Sequence, residues 1–272
     1  MKRLLSVQDL SCLGKCSLTV ALPVISAMGV EAAVLPTAVL STHTAFPSPV
    51  VTDLGNMLEP VSRHWAQIGA GFDGICTGYL SSPEQAEQVL SVIRTLRTPD
   101  TLVLTDPVMG DGGRLYSRIT PAFLEKMRLL CAGADMILPN LTEACFLTGT
   151  PYREGYDEDF LKALLIKLTD MGCAVAAITG VSLTEGQTGV VGYEKKTGAY
   201  FSHFHEKLPE SYHGTGDIFC AVTAGGLMQG KGWQNALRQA AEFTCRCIRL
   251  TAEEGGDRRY GVCFEKALPS LW

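Results

Sequence analysis

The chain has no Cys-x-x-Cys pair and no His-Glu-x-x-His pattern. Its ten cysteines are scattered, and the nearest, Cys12/Cys16 and Cys245/Cys247, have spacings that fit neither a zinc site nor a disulfide framework. Buried free thiols in a reducing cytosol are the expectation. Runs of positive charge are missing as well. Lys and Arg number 23 against 28 Asp and Glu, a net charge of −5, and Arg258-Arg259 is an isolated pair. With no basic stripe, no nucleic-acid partner is expected. No apolar run is long and unbroken. Residues 18–40 come nearest, but Pro23, Gly29, Glu31 and Pro36 interrupt them, so a buried helix followed by a strand fits better than a membrane span. Gln8 and Asp9 end the apolar N-terminal run too soon for a signal peptide. Repeats, low-complexity segments and linkers are lacking too. A cytoplasmic chain without a membrane partner is expected.

What is present is ordinary globular material. Apolar residues make up 46% of 272 residues, enough for one large core. Strand and helix patterns alternate. Strands are predicted at residues 3–8, 31–40, 74–78, 101–105, 136–138 and 174–178. Helices are predicted at 17–28, 52–68 (with Asp53 in the first turn), 82–96, 121–130, 142–147, 158–171, 217–228 and 235–252. Residues 188–193 and 199–205 read as an antiparallel hairpin around Lys195-Lys196-Thr197-Gly198. The alternation predicts an α/β fold: a mostly parallel central sheet with helices on both faces, a C-terminal-half antiparallel hairpin, and one domain over residues 1–272. Ligands of such sheets sit outside the carboxyl ends of the strands. That directs attention to Gln8-Asp9, residues 41–44, Tyr79, residues 106–113, residues 140–143 and Thr179-Gly180.

Two literal matches fail on context. Gly69-Ala70-Gly71-Phe72-Asp73-Gly74 follows a helix and precedes a strand, the reverse of dinucleotide binding. Gly14-Lys15-Cys16-Ser17 resembles half of a P-loop, but Asp9 stands where the first Gly is required and Cys16 where Ser or Thr is. Three stretches carry more. Gly214-Thr215-Gly216-Asp217 opens an apolar helix. Two glycines there leave backbone N–H groups uncovered at a positive helix end, and Asp217 could accept a proton from an attacking hydroxyl; an ordinary helix start with a dipole-favoured Asp reads equally well. Asp106-Pro107-Val108-Met109-Gly110-Asp111-Gly112-Gly113 joins a strand-end carboxylate to glycines that allow either a mobile flap or a plain turn. Asn140-Leu141-Thr142-Glu143 places two oxygen donors suited to Mg²⁺ at a strand–helix junction, or else caps the helix, with Glu143 at the third position.

Together these stretches resemble the ribokinase-like superfamily and, within it, the pyridoxal/pyridoxine/pyridoxamine kinases. The resemblance runs from Leu5-Ser6-Val7-Gln8 and Gly14 through Ser41-Thr42-His43-Thr44 and Thr77-Gly78-Tyr79. It continues through Asp106–Gly110 and Pro139–Glu143 to Gly214-Thr215-Gly216-Asp217. The hydroxymethylpyrimidine kinases are similar, but a Cys commonly follows their Gly-Thr-Gly; Asp217 favours the B6 branch. The resemblance implies ATP-dependent phosphorylation of the 5′-hydroxymethyl group of a B6 vitamer, in salvage. It implies Asp217 as base, Gly214, Thr215 and Gly216 as anion hole, and Asp106 and Glu143 acting on Mg²⁺ with Asn140 nearby. It further implies Thr179 near the ATP phosphates, His43, Thr44 and Tyr79 lining the vitamer pocket, a monovalent cation (K⁺) near the anion hole, and a homodimer. Two departures bear on vitamer choice. Asp9 replaces the usual Ser after Gln8, which would favour an ammonium-bearing vitamer, bond a group that all vitamers share, or face away from the ligand. Residues 111–119 also lack the Cys with which some relatives capture an aldehyde. Another small-molecule kinase, for hydroxymethylpyrimidine or its phosphate or for a sugar, is the alternative activity. A non-catalytic binder would need no metal carboxylates.

Overall fold

A computed structural model of the chain describes residues 1–209 and 212–271. In chain order they form β1 (Arg3–Leu13), α1 (Leu18–Ala27), β2 (Glu31–Thr42), β3 (Val51–Asp53), α2 (Gly55–Gln67), β4 (Gly74–Thr77), α3 (Pro83–Leu96) and β5 (Leu102–Thr105). There follow β6 (Gly110–Asp111), β7 (Arg114–Leu115), α4 (Pro121–Ala132), β8 (Met136–Ile137), α5 (Leu141–Thr148), α6 (Glu158–Asp170) and β9 (Val175–Val181). Last come β10 (Gln187–Glu194), β11 (Ala199–Glu206), α7 (Thr215–Met228) and α8 (Trp233–Glu254). The fold is α/β, with mostly parallel strands flanked by helices, as the alternation predicts.

The chain divides into two compact units. One comprises Met1–Gly78, Ser91–Thr101 and Leu208–Trp272. Its strands run in the order β4-β1-β2-β3, parallel except for β3, which is antiparallel to β2. Leu4, Leu5 and Val7 of β1 and Ile75 of β4 are wholly buried, as fits a strand covered on both faces. The pairing of β1 with β2 slips between Gln8 and Leu10, opposite Pro36, a residue with no N–H to give the ladder. Helix α7 is apolar around its whole circumference and buried over nearly its whole length, from Ile218 to Gly226.

The other unit comprises Tyr79–Leu90 and Leu102–Lys207. Here β5, β8 and β9 are parallel, and β10 and β11 follow as an antiparallel hairpin on β9, in the register Gln187↔Glu206 to Glu194↔Ala199. Phe123, Met127, Leu104 and Ile137 are the large side chains at its centre. A separate two-stranded hairpin joins β6 and β7.

The boundaries of β1 and α2 are among those that differ from expectation. Strand β1 continues to Leu13 instead of ending at residue 8. Gln8, Asp9 and Ser11 look like strand-end polar residues, yet all three are buried and the segment still pairs with β2. Helix α2 starts at Gly55, because Val51–Asp53 pair with β2 instead, and the Asp53 carboxylate accepts the Gly55 N–H at 2.7 Å.

Candidate active site

The start of α7 is built by backbone geometry. Gly214 caps the helix at φ +82°, and a Cβ there would lie 2.1 Å from the Lys15 carbonyl oxygen. Only glycine fits both conditions. The first-turn N–H groups of a helix have no intrahelical partners and carry partial positive charge. Gly216 is exposed among them, and the Thr215 hydroxyl donates to the Tyr212 carbonyl at 3.2 Å. Asp217 is partly buried one residue further on. Burial pushes its carboxyl up to about 6; a hydrogen bond from the Ser17 backbone N–H opposes the rise, and the charge of Asp9 adds to it. A carboxylate tuned to that range ionises near neutral pH yet still holds a proton well, as a general base requires.

Asp9 is buried, and both of its oxygens are engaged. Oδ1 accepts the Ser17 hydroxyl at 2.6 Å and Oδ2 the Ser11 hydroxyl at 3.2 Å. His43 is buried too. Its Nδ1 accepts the Ala45 N–H at 3.3 Å, which places the proton on Nε2, donated to the Arg259 carbonyl at 2.6 Å. Its ring lies 4.8 Å from that of His213 and 5.1 Å from that of Phe46. Gly14 leaves room for it; a Cβ there would meet the imidazole at 2.5 Å. Thr44 is exposed on the turn that follows. Lys15 pairs with Glu265 at 2.8 Å.

In the second unit, partly buried Asp106 ends the β5 strand, and the glycine-rich loop follows it. This loop folds as a hairpin tied by side chains of α5 and its cap. Gly112 and Gly113 carry φ of +57° and +76°, as the two-residue turn between β6 and β7 demands. Glu143 Oε1 accepts the N–H groups of Met109 (2.9 Å) and Gly110 (3.4 Å), and Oε2 accepts that of Asn140 (2.8 Å). Asn140 Nδ2 donates to the Gly110 carbonyl at 2.8 Å, and Thr142 Oγ1 accepts the Gly113 N–H at 2.9 Å. Asn140 and Glu143 thus form the reciprocal capping box of α5, the alternative reading of that motif. Burial pushes the Glu143 carboxyl up, against the three backbone donors. Thr179 sits across from Asn140 in an isolated parallel bridge, and its N–H donates to the Pro139 carbonyl at 3.0 Å. Tyr79 is partly buried just past β4.

No cluster of three or more His, Cys, Asp or Glu able to hold a metal exists among the described residues. Glu143, expected at Mg²⁺, accepts backbone N–H groups on both oxygens, and a set of one or two carboxylates suits an ion that arrives with a polyphosphate. Sequence reasoning missed Ser17, Ser11 and Thr142. Thr142 could have been found from the capping-box spacing around it; the two serines carry no local signal.

An α/β fold with a glycine turn at the start of a buried helix in one unit, and a strand-end carboxylate before a glycine hairpin in the other, is that of a small-molecule kinase. The chain belongs to the phosphomethylpyrimidine kinase family, whose sequence profile matches residues 22–261. Among solved structures it is similar to a Bacteroides thetaiotaomicron protein described as a candidate phosphomethylpyrimidine kinase and crystallised in one form with pyridoxal. The two share 40% identity over 99% of this chain and 95% of the other, with TM-score 0.95. It is also similar to the pyridoxal kinase of Lactobacillus plantarum, at 35% identity over 100% and 96% of the two chains, TM-score 0.92. Among curated proteins, the pyridoxine/pyridoxal/pyridoxamine kinase of Bordetella avium is 28% identical over 90% of this chain and 84% of its own. No described helix is long and apolar enough to cross a membrane.

Proposed function

We propose that the protein transfers the γ-phosphoryl group of ATP to the 5′-hydroxymethyl group of a B6 vitamer. The observation that carries this is Asp217, a carboxylate raised by burial in the first turn of α7, behind the Gly214 cap. The hydroxyl oxygen forms a bond to the γ-phosphorus, the bond from that phosphorus to the β,γ-bridging oxygen breaks, ADP leaves, and the hydroxyl proton passes to Asp217. The N–H groups of Thr215 and Gly216, freed by the Gly214 turn, receive the phosphoryl oxygens. Phosphoryl transfer asks for this positioning and charge stabilisation more than for covalent chemistry.

Mg²⁺ would neutralise the phosphate charge when the nucleotide binds. We assign Asp106 to that ion and Glu143 to the shape of the glycine loop, with Asn140 and Thr179 toward the nucleotide. Tyr79 and Thr44 are assigned to the vitamer ring, with His43 holding its loop in place. A K⁺ ion near the glycine turn, a cytoplasmic homodimer, and one kinase domain made of both units belong to the same reading. The family's description names phosphomethylpyrimidine, the phosphate of the alternative substrate hydroxymethylpyrimidine. Turnover of pyridoxal, pyridoxine, pyridoxamine, hydroxymethylpyrimidine and ribose with ATP and Mg²⁺ decides between them. The B6 reading expects kcat/KM at least ~10-fold higher for a vitamer than for hydroxymethylpyrimidine, a difference of ~1.4 kcal/mol; the opposite order overturns it.

A further inference from the structure

Two of the buried thiols touch. Cys76 in β4 and Cys220 in α7 lie 144 residues apart in the chain, and their sulfurs are 3.1 Å apart. That is inside the ~3.5–4.0 Å at which non-bonded heavy atoms ordinarily settle. It leaves only ~1 Å to close before the sulfurs reach the ~2.05 Å of a disulfide bond. Both residues belong to the same unit, and they are 1% and 4% exposed. The surroundings decide which partner gives way. Strand β4 is buried throughout and paired with β1, with Cys76 opposite Ser6. Beyond Cys220, α7 is buried as far as Gly226 and closely seated; a Cβ on Gly225 would lie 2.4 Å from Met28 Sδ. Ahead of Cys220 the helix is less enclosed. Gly214, Thr215 and Asp217 are half-buried, and Gly216 is exposed. A shortened contact between the sulfurs therefore pulls on the first turn of α7, which carries the glycine turn and Asp217.

We propose that Cys76 and Cys220 form a reversible disulfide, with hydrogen peroxide as the oxidant, that switches off the site at the start of α7. The loss of activity rests on the kinase reading above; the formation of the bond does not. In the first step one sulfur, as thiolate, attacks a peroxide oxygen. The O–O bond breaks, leaving a sulfenic acid, and the released hydroxide takes a proton to become water. In the second step the other sulfur gives up its proton and attacks the sulfenic sulfur. The S–O bond breaks, the S–S bond forms, and a second water leaves. Two thiols have lost two electrons, and one peroxide has become two waters. Peroxide is scarcely larger than water, so it needs no open cleft to reach the pair. A reducing medium keeps both thiols, and that is the active form. Displacing the glycine turn and the base by ~1 Å is enough to cost ~10²-fold in rate.

The test uses the full chain as wild type, Cys76→Ala, Cys220→Ala and Cys12→Ser, each reduced and then treated with hydrogen peroxide. Digests made without reductant are read by mass spectrometry. Values of kcat for pyridoxal, pyridoxine and pyridoxamine are measured before treatment, after it, and after dithiothreitol. In wild type the peptides holding Cys76 and Cys220 come off linked, kcat falls at least ~10-fold, and dithiothreitol restores it. Each alanine variant has lost one partner and keeps its kcat through the same treatment. Cys12→Ser, which removes an exposed thiol, behaves as wild type. Wild-type protein with Cys12 oxidised but Cys76 and Cys220 unlinked overturns the proposal. So does a linked protein with unchanged kcat, and so does a loss that persists in both alanine variants, which would place the sensitive thiol elsewhere. The mapping is made on wild type, so it decides even where an alanine variant does not fold. It also needs no substrate: a reduced wild type that phosphorylates no vitamer counts against the kinase reading, while the bond between the sulfurs is read independently.

Discussion

Asp217 stands between opposing influences. Burial and the Asp9 charge raise its carboxyl, and the Ser17 N–H lowers it, with a balance at about 6. Its ionised form is the one that accepts a proton, so kcat/KM should fall as pH drops through about 6, with a limb of unit slope. A pH–rate profile with full activity retained at pH 5 would contradict this. Asp217→Asn keeps the shape and removes proton acceptance; kcat should fall ~10²–10⁴-fold with KM little changed. Steady-state kinetics that find most of kcat intact would remove Asp217 from the role of base. At the same scale, residues 111–119 contain no thiol to add to an aldehyde. Native protein incubated with pyridoxal and digested should show no thiol-linked adduct on that peptide by mass spectrometry.

Among the elements, α5 and the hairpin of β6 and β7 depend on one side chain. Removing the Glu143 carboxylate leaves three backbone N–H groups without their acceptor, two of them buried. Each such loss costs ~1–3 kcal/mol. Glu143→Ala should therefore lower Tm by several degrees, and amide exchange at Met109 and Gly110 should speed up at least ~10-fold, since ~1.4 kcal/mol of lost protection is enough for that. Unchanged exchange at those two amides would show that the loop is held by other means. The capping box was legible in the sequence because its logic is local: Asn140 and Glu143 lie three residues apart at a strand end. The hairpin of β10 and β11 was legible for the same reason. The start of α2 was not, because Val51–Asp53 are claimed by a strand partner that local pattern does not reveal. Ser17 was the least legible of all. It carries φ +48° without being glycine, and its hydroxyl donates to Asp9 back in β1, neither of which local pattern reveals.

At the scale of the whole molecule, buried acids make stability depend on pH. An acid whose folded titration lies above its unfolded value favours the folded state at low pH, and that contribution is lost as pH rises through the folded midpoint. Asp217, Asp9 and Glu143 are all raised by burial. Half-buried Asp73 and exposed Asp257, lowered by Lys2 and Arg259, act in the opposite sense at more acidic pH. The difference is cleanest in one variant. Asp217→Asn should be more stable than wild type at pH 8, by ~1–3 kcal/mol, and the gap should close toward pH 4–5. Thermal unfolding at both pH values checks this; a gap independent of pH would mean that Asp217 ionises in the folded protein as it does in the unfolded chain.

The glycine hairpin after Asp106 bears on the thermodynamics of ligand capture. Gly110 packs so closely that a Cβ would fall 2.3 Å from the Arg114 carbonyl oxygen, and one on Gly113 would fall 2.6 Å from the Tyr152 ring. With its backbone also tied to Glu143, Asn140 and Thr142, the segment has surrendered most of its conformational entropy during folding. A ligand that settles against it meets a surface already in shape, so little further ordering is charged to the association step. Calorimetry would register this as a small entropic penalty from the loop, and as a dissociation rate set by the contacts themselves, not by a door that has to open.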